Sequence, residues 1–204
     1  TVSPEFSEAL DAELKAAGVT HYTGPMLGSK PQAEAGQVFY MLGGPASHLA
    51  QITPILELCG RQYIHVGSAS DANKVKLMHN ALGSVNYAAV AEALALCTQN
   101  GVNLQTFYEV VRNGGGMAFG NYFERKVPTI IAGDYSPRFK LALAHKDSKL
   151  AQAFFADKGV PMPIHDAARQ LLEEALADGL GEEDASAVTK VVEKRIGKPI
   201  RQHS

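Results

Sequence analysis

Residues 71 to 100 read as one long helix. Val75, Leu77, Met78, Ala81, Leu82, Val85, Ala88, Ala89, Val90, Ala93 and Leu94 make much of its circumference apolar, and almost no breaker interrupts the run before Gly101. Lys76 and Asn80 break that pattern. At 3.6 residues per turn their side chains lie about 40° apart, and Asn73, Gly83, Ser84 and Tyr87 fall in the same roughly 100° sector. A polar stripe with one amine on a core helix describes the wall of a site. Lys74 lies about 160° round from Lys76 and cannot share that wall. The spacing by itself fits a solvated amphipathic face at least as well, so other observations must decide.

Around this helix the elements change character. Ser3 is placed to cap a helix with Pro4 at its first position, running to Ala17 and closed by Gly18. A short strand at His21 to Thr23, a β-rich run at Gln37 to Leu42, a helix at Ala46 to Leu58 and a strand at Gln62 to Val66 follow. After Gly67 the β signal stops. Helices are predicted at about 71 to 100, 104 to 112, 117 to 126, 140 to 158, 163 to 178 and 184 to 196, broken by Gly101, Gly114 to Gly116, Pro128, Gly159 and Gly179 to Gly181. Residues 1–66 therefore form an α/β part, and residues 67–204 an all-helical part built on one long central helix of about 45 Å.

Composition narrows the function classes. A chain of 204 residues, 46% hydrophobic and 20% charged, is an ordinary globular protein, and a net charge of −2 without a Lys/Arg block argues against nucleic acid. The basic residues Lys194, Arg195, Lys198 and Arg201 read as a solvated tail. Cys59 and Cys97, among apolar helical neighbours, read as reduced core residues of a cytoplasmic protein. No signal peptide and no apolar run long enough to span a bilayer are expected. His48, His65, His145 and His165 form no metal-ligand pair. The chain opens directly on a helix start, which suggests the rear part of a longer polypeptide.

Four blocks, in order, resemble one family: TVSP at Thr1 to Pro4, GPMLGSKPQAEAGQ at Gly24 to Gln37, KLMHN at Lys76 to Asn80, and FKLALAHKDSKLA at Phe139 to Ala151. Together they are similar to the β-hydroxyacid dehydrogenases, which include 3-hydroxyisobutyrate dehydrogenase and glyoxylate/succinic semialdehyde reductase. The resemblance implies the end of a Rossmann domain followed by a helical domain like the C-terminal one of 6-phosphogluconate dehydrogenase. It implies hydride transfer between NAD or NADP and a short β-hydroxy acid or semialdehyde. Lys76 would be the catalytic lysine. Leu27, Gly28, Ser29, Asn80 and Asp147 would meet substrate, with the amides of Gly28 and Ser29 receiving its carboxylate. Thr1, Phe139 and Lys146 would meet the cofactor.

The chain also departs from the family pattern. It contains no GxGxxG turn, the element that brings backbone amides to a dinucleotide pyrophosphate, so this chain alone is expected to bind cofactor weakly and to be inactive. Gly114 to Gly116 follow a helix and read as a helix break. Leu27 stands where relatives often carry a serine, Ser70 and Ala72 stand at glycine positions, and His79 replaces the first Asn of an Asn–Asn pair. NAD versus NADP preference stays open, because the discriminating residue belongs to the missing half. An imine reductase shares the architecture, but Lys76 speaks against it; a non-catalytic dimerisation module is the alternative from another class. A homodimer or larger homo-oligomer is expected.

Overall fold

The computed structural model describes residues 1–201. By contacts the chain divides into two compact units, Thr1–Asn80 with Ala153–Val160, and Ala81–Gln152 with Pro161 onward. The first contains the α/β residues 1–66 and extends past them to Asn80, with residues 153–160 added. Helix α1 (Pro4–Ala16) starts as its sequence demands, the Ser3 hydroxyl accepting the Phe6 amide hydrogen at 3.2 Å ahead of Pro4. A three-stranded sheet follows in the order β1 (Met26–Leu27), β2 (Val38–Gly43), β3 (Gly60–Gly67). Strand β1 runs antiparallel to β2, pairing Leu27 with Phe39, while β3 runs parallel to β2, with Val38 opposite Gly60 and Gly43 near Gly67. The crossover between the parallel strands is α3 (Leu49–Cys59), preceded by a 3-10 turn at Ala46–His48. Val38, Met41 and Leu42 of β2 are buried. Gly43 is required where β2 passes the next loop: a Cβ there would stand 2.1 Å from the Ser68 carbonyl oxygen.

Helix α4 (Ala69–Gln99) begins in the first unit and continues into the second. Ser68 and Asp71 fasten its start reciprocally, the Ser68 amide donating to Asp71 Oδ2 at 2.9 Å and the Asp71 amide to Ser68 Oγ at 3.3 Å. The second unit adds α5 (Leu104–Gly114), α6 (Asn121–Ile131), most of α7 (Leu141–Asp157), α8 (Pro163–Ala177) and α9 (Val188–Ile196). Its core joins Leu94, Phe123, Val127, Ile130, Leu141, Leu172 and Val188. Phe123 packs edge-on to Phe107 and stacks on Tyr108.

Several expectations need correction. The strand at His21 to Thr23 is only a single bridge from Thr23 to Gly43, because three residues after a helix end offer little ladder to pair. Strand β1 and the short helix α2 (Lys30–Glu34) were not foreseen inside the loop. Pro128 does not end α6, which begins at Asn121 rather than 117 and runs through the proline. Proline deprives the Glu124 carbonyl of its helical donor, and the Tyr108 hydroxyl approaches that carbonyl at 3.5 Å. Cys97 is buried, but Cys59 closes α3 on an exposed position and is not a core residue. Lys194 and Arg195 lie on α9 rather than in a tail and pair with Asp178, which caps the end of α8, and with Glu174 of α8. Part of the α4 circumference assigned to the core is exposed, notably Val75, Met78 and Leu82. By length and composition α4 is also apolar enough to cross a bilayer, contrary to expectation. An Ala- and Leu-rich core helix passes the same test, and Ala91, Leu94, Ala95 and Cys97 pack in the hydrophobic core.

Candidate active site

In the first unit, the first three turns of α4 carry Lys76 and Asn80, both half-buried. The Lys76 ammonium donates to the backbone carbonyl of Met26 at 2.9 Å. That contact ties the lysine to the residue just before Leu27, Gly28 and Ser29, so an amine fifty positions away meets the loop whose sequence suggested substrate binding. Gly28 has φ +120°, and a Cβ on it would press to 3.1 Å from Gln32 Cβ and 3.4 Å from Val38 Cγ1, so the tight path of this loop needs glycine. Ser29 is held from within the loop: its amide and its hydroxyl both donate to Gln32 Oε1, at 3.0 and 2.9 Å. Leu27 turns a half-buried apolar side chain at the end of β1. Thr1 lies exposed ahead of the Ser3 cap.

The stripe on α4 is not used uniformly. Asn73 is buried and donates to Ser7 of α1, also buried, so it docks one helix on the other. Lys74, on another side, pairs with Asp71 at 3.0 Å and Glu8 at 3.7 Å. A hydrogen bond from the Ser68 hydroxyl, and then the Lys74 ammonium, hold the Asp71 carboxyl down at about 2. His79 Nδ1 lies 3.0 Å from Asn80 Oδ1.

In the second unit, Asp147 is buried on α7 with only 4% exposed, and the exposed Lys146 ammonium sits 3.0 Å from its Oδ1. His145, Lys146, Lys149 and Leu150 line an open groove of about 460 Å³. Burial pushes the His145 imidazole below its ordinary value. Phe139 is positioned by its backbone, its amide donating to Asp184 Oδ2 at 3.1 Å. The same carboxylate, 1% exposed, accepts the Arg138 amide at 3.0 Å, the Ser186 amide and hydroxyl at 3.1 and 2.9 Å, and the Lys126 ammonium at 2.6 Å. Burial alone would raise the Asp184 carboxyl; the hydrogen bond and charge of Lys126, with those amides, hold it below the usual carboxylate range. Burial raises the phenols of Tyr87 and Tyr122, whose ring centres lie 4.9 Å apart, so both stay protonated donors. Among the described residues no cluster of His, Cys, Asp and Glu is arranged for a metal ion.

Sequence reasoning did not single out Gln32 or Lys126, and named His79 only as a departure from an Asn–Asn pair. Gln32 had a local signal, the Ser-x-x-Gln spacing of a capping box. Lys126 had none: its partner Asp184 lies 58 positions along the chain, where it also caps a turn by accepting the Ser186 amide.

Residues 70–192 match the family model "NAD-binding of NADP-dependent 3-hydroxyisobutyrate dehydrogenase". Residues 1–67 match that of the NAD binding domain of 6-phosphogluconate dehydrogenase. The chain is 33% identical over 198 residues to 2-(hydroxymethyl)glutarate dehydrogenase of Eubacterium barkeri, covering 97% of this chain and 65% of that protein. To L-threonate dehydrogenase of Cupriavidus necator it is 33% identical, over 94% of this chain and 64% of the relative, so the chain spans a little under two thirds of the length of both. The crystal structure of a 3-hydroxyisobutyrate dehydrogenase from Salmonella typhimurium superposes with a TM-score of 0.86 at 27% identity, over 94% of this chain and 67% of that one.

Proposed function

The chain belongs to the β-hydroxyacid dehydrogenases, the family of NADP-dependent 3-hydroxyisobutyrate dehydrogenase, and on that premise we propose that it is a portion of an NAD(P)-dependent oxidoreductase acting on a short β-hydroxy acid or semialdehyde. In this reading residues 1–66 close the Rossmann domain and 67–204 form the substrate and dimerisation domain. The observation that supports it is the 2.9 Å hydrogen bond from the Lys76 ammonium to the carbonyl of Met26, the residue that precedes Leu27, Gly28 and Ser29.

The chemistry follows from that placement. When a carbonyl is reduced, negative charge develops on its oxygen, and Lys76 Nζ donates a proton there; in the oxidation it removes the hydroxyl proton. Met26 holds the ammonium between turnovers. Asn80, one turn along α4, binds the same substrate without competing for that proton. Gly28 offers a backbone amide to the carboxylate in a loop too tight for a Cβ. The Ser29 amide joins it if Gln32 yields its place. Asp147 binds substrate, while Thr1, Phe139 and Lys146 would hold NAD or NADP, which supplies the hydride when bound. The exposed Lys146 ammonium beside an open groove suits an anionic dinucleotide.

Leu27 sets the selectivity. An apolar wall beside the carboxylate loop favours a bulkier or less polar acid, and Leu27→Ser in the intact enzyme should shift relative kcat/KM toward small polar acids by about tenfold, the worth of one hydrogen bond to a charged group. A substrate panel ranked identically by both proteins would contradict the loop's role.

We further place the protein in the cytoplasm as a homodimer or larger homo-oligomer. Two free cysteines, one exposed, suit a reducing compartment. The exposed Val75, Met78, Leu82 and Leu96 share one roughly 60° sector of α4, the form of a helix face awaiting a partner. Light scattering of this chain at micromolar concentration should give at least a dimer, while an NADPH titration should show only weak binding. A monomer would contradict the interface, and tight NADPH binding would contradict the need for a GxGxxG turn.

A further inference from the structure

We propose that the groove on α7 is an anion subsite in which Lys149 and His145 hold a phosphoryl group. The choice of a phosphoryl group rests on the reading of this groove as part of the cofactor site; the residues involved all belong to the second unit. His145, Lys146, Lys149 and Leu150 line an open concavity of about 460 Å³. The ion pairs around it leave one charge over. Lys146 Nζ lies 3.0 Å from Asp147 Oδ1 and Arg169 Nη1 lies 2.8 Å from Glu173 Oε2, whereas Lys149, among the described residues, stands within ion-pair distance of no carboxylate. An exposed lysine alone would mean little, since water satisfies it.

A second observation stands one turn away on the same face of α7. His145 Nε2 is buried and has no hydrogen-bond partner among the described residues, and the same holds for Arg169 Nε on α8. A buried nitrogen left unpaired costs about 1–3 kcal/mol, so such positions ask for a group that the protein itself does not supply. Arg169 Nε can only donate. His145 Nε2 donates in one neutral tautomer and in the protonated ring, and an incoming anion, which only accepts, selects those forms. Burial pushes the His145 imidazole below its ordinary value; Glu173 pulls it up, and the charges of Lys149 and Arg169 push it down. Two cations thus act on one ring, and an anion beside it relieves their repulsion. A phosphoryl group brings three terminal oxygens, enough to meet an ammonium and an imidazole from different directions at once.

Calorimetric titration of inorganic phosphate into the 204-residue chain tests this without cofactor or substrate. Binding with a Kd of about 1 mM is expected, the strength of two or three partly solvated contacts. Lys149 is exposed, so its substitution leaves the core untouched. Lys149→Met should weaken binding about 10-fold and His145→Phe about 3- to 10-fold, while Lys149→Arg stays within about threefold of the parent. Lys15→Met, which removes an exposed charge from the last turn of α1, should change nothing. Absence of phosphate binding, or equal losses from Lys149→Met and Lys15→Met, would overturn the proposal. In the intact enzyme, phosphate inhibition that is competitive with NADPH and lost in Lys149→Met assigns the subsite to the cofactor; inhibition not competitive with NADPH but lost in the same variant assigns it to free phosphate. Phosphate binding that needs Lys149, in an enzyme inactive on every hydroxy acid and semialdehyde tried, leaves the subsite standing and removes only the functional reading around it.

Discussion

Lys126→Met should destabilise the protein by about 3 kcal/mol or more, because it strands a buried carboxylate. Asp184 has a side chain 2% exposed, and Lys126 at 2.6 Å is its only charged partner among the described ion pairs. The four other hydrogen bonds it accepts, from Arg138, Phe139 and Ser186, are built around an ionised group and remain after the substitution. They cannot replace a full positive charge. Lys126 keeps 16% of its side chain accessible, so entering water offsets part of the loss and sets the expected effect at the low end for a broken buried pair. Adding Asp184→Asn should recover part of the stability by removing the stranded charge. Urea unfolding of the intact protein measures both; a loss below about 1 kcal/mol for Lys126→Met would show that solvent already carries this pair.

The same hub shows what a sequence hides. The local part of Asp184's role is a cap, its carboxylate accepting the Ser186 amide two residues on. Its bonds to Lys126, Arg138 and Phe139 span 45 to 58 positions, and no periodicity records them. Asn73 behaved likewise. Helical spacing put it in the sector of Lys76 and Asn80, yet Ser7, 66 positions earlier, claims its amide, so a residue that shares the stripe serves helix docking.

What was legible had a short-range cause. Ser3 and Pro4 started α1, Gly115 and Gly116 with φ of +63° and +79° followed the end of α5, and the loss of β signal after Gly67 separated a sheet from a run of helices. The order of four motifs indicated the family that the comparisons then supported. Burial was harder to read. An apolar residue packed in the core and one left on the surface look the same in a sequence, which is why Leu82 was assigned to the core although 66% of it is exposed. Pro128 failed for a related reason: the penalty for proline in a helix is local, but Tyr108, which approaches the orphaned carbonyl, lies on α5.

The most direct test of the account is turnover of the intact enzyme with Lys76 replaced by Ala, measured as cofactor oxidation on a saturating semialdehyde. Lys76 Nζ lies 2.9 Å from the Met26 carbonyl, and the stripe on α4 offers no second amine within that sector. Losing the proton donor at the nascent alkoxide removes a stabilisation made mainly in the transition state, so kcat should fall about 100-fold or more while KM changes little. A fall in binding alone, with kcat preserved, would make Lys76 a substrate anchor. The account predicts the loss in kcat; unchanged turnover would contradict it and remove Lys76 from the mechanism.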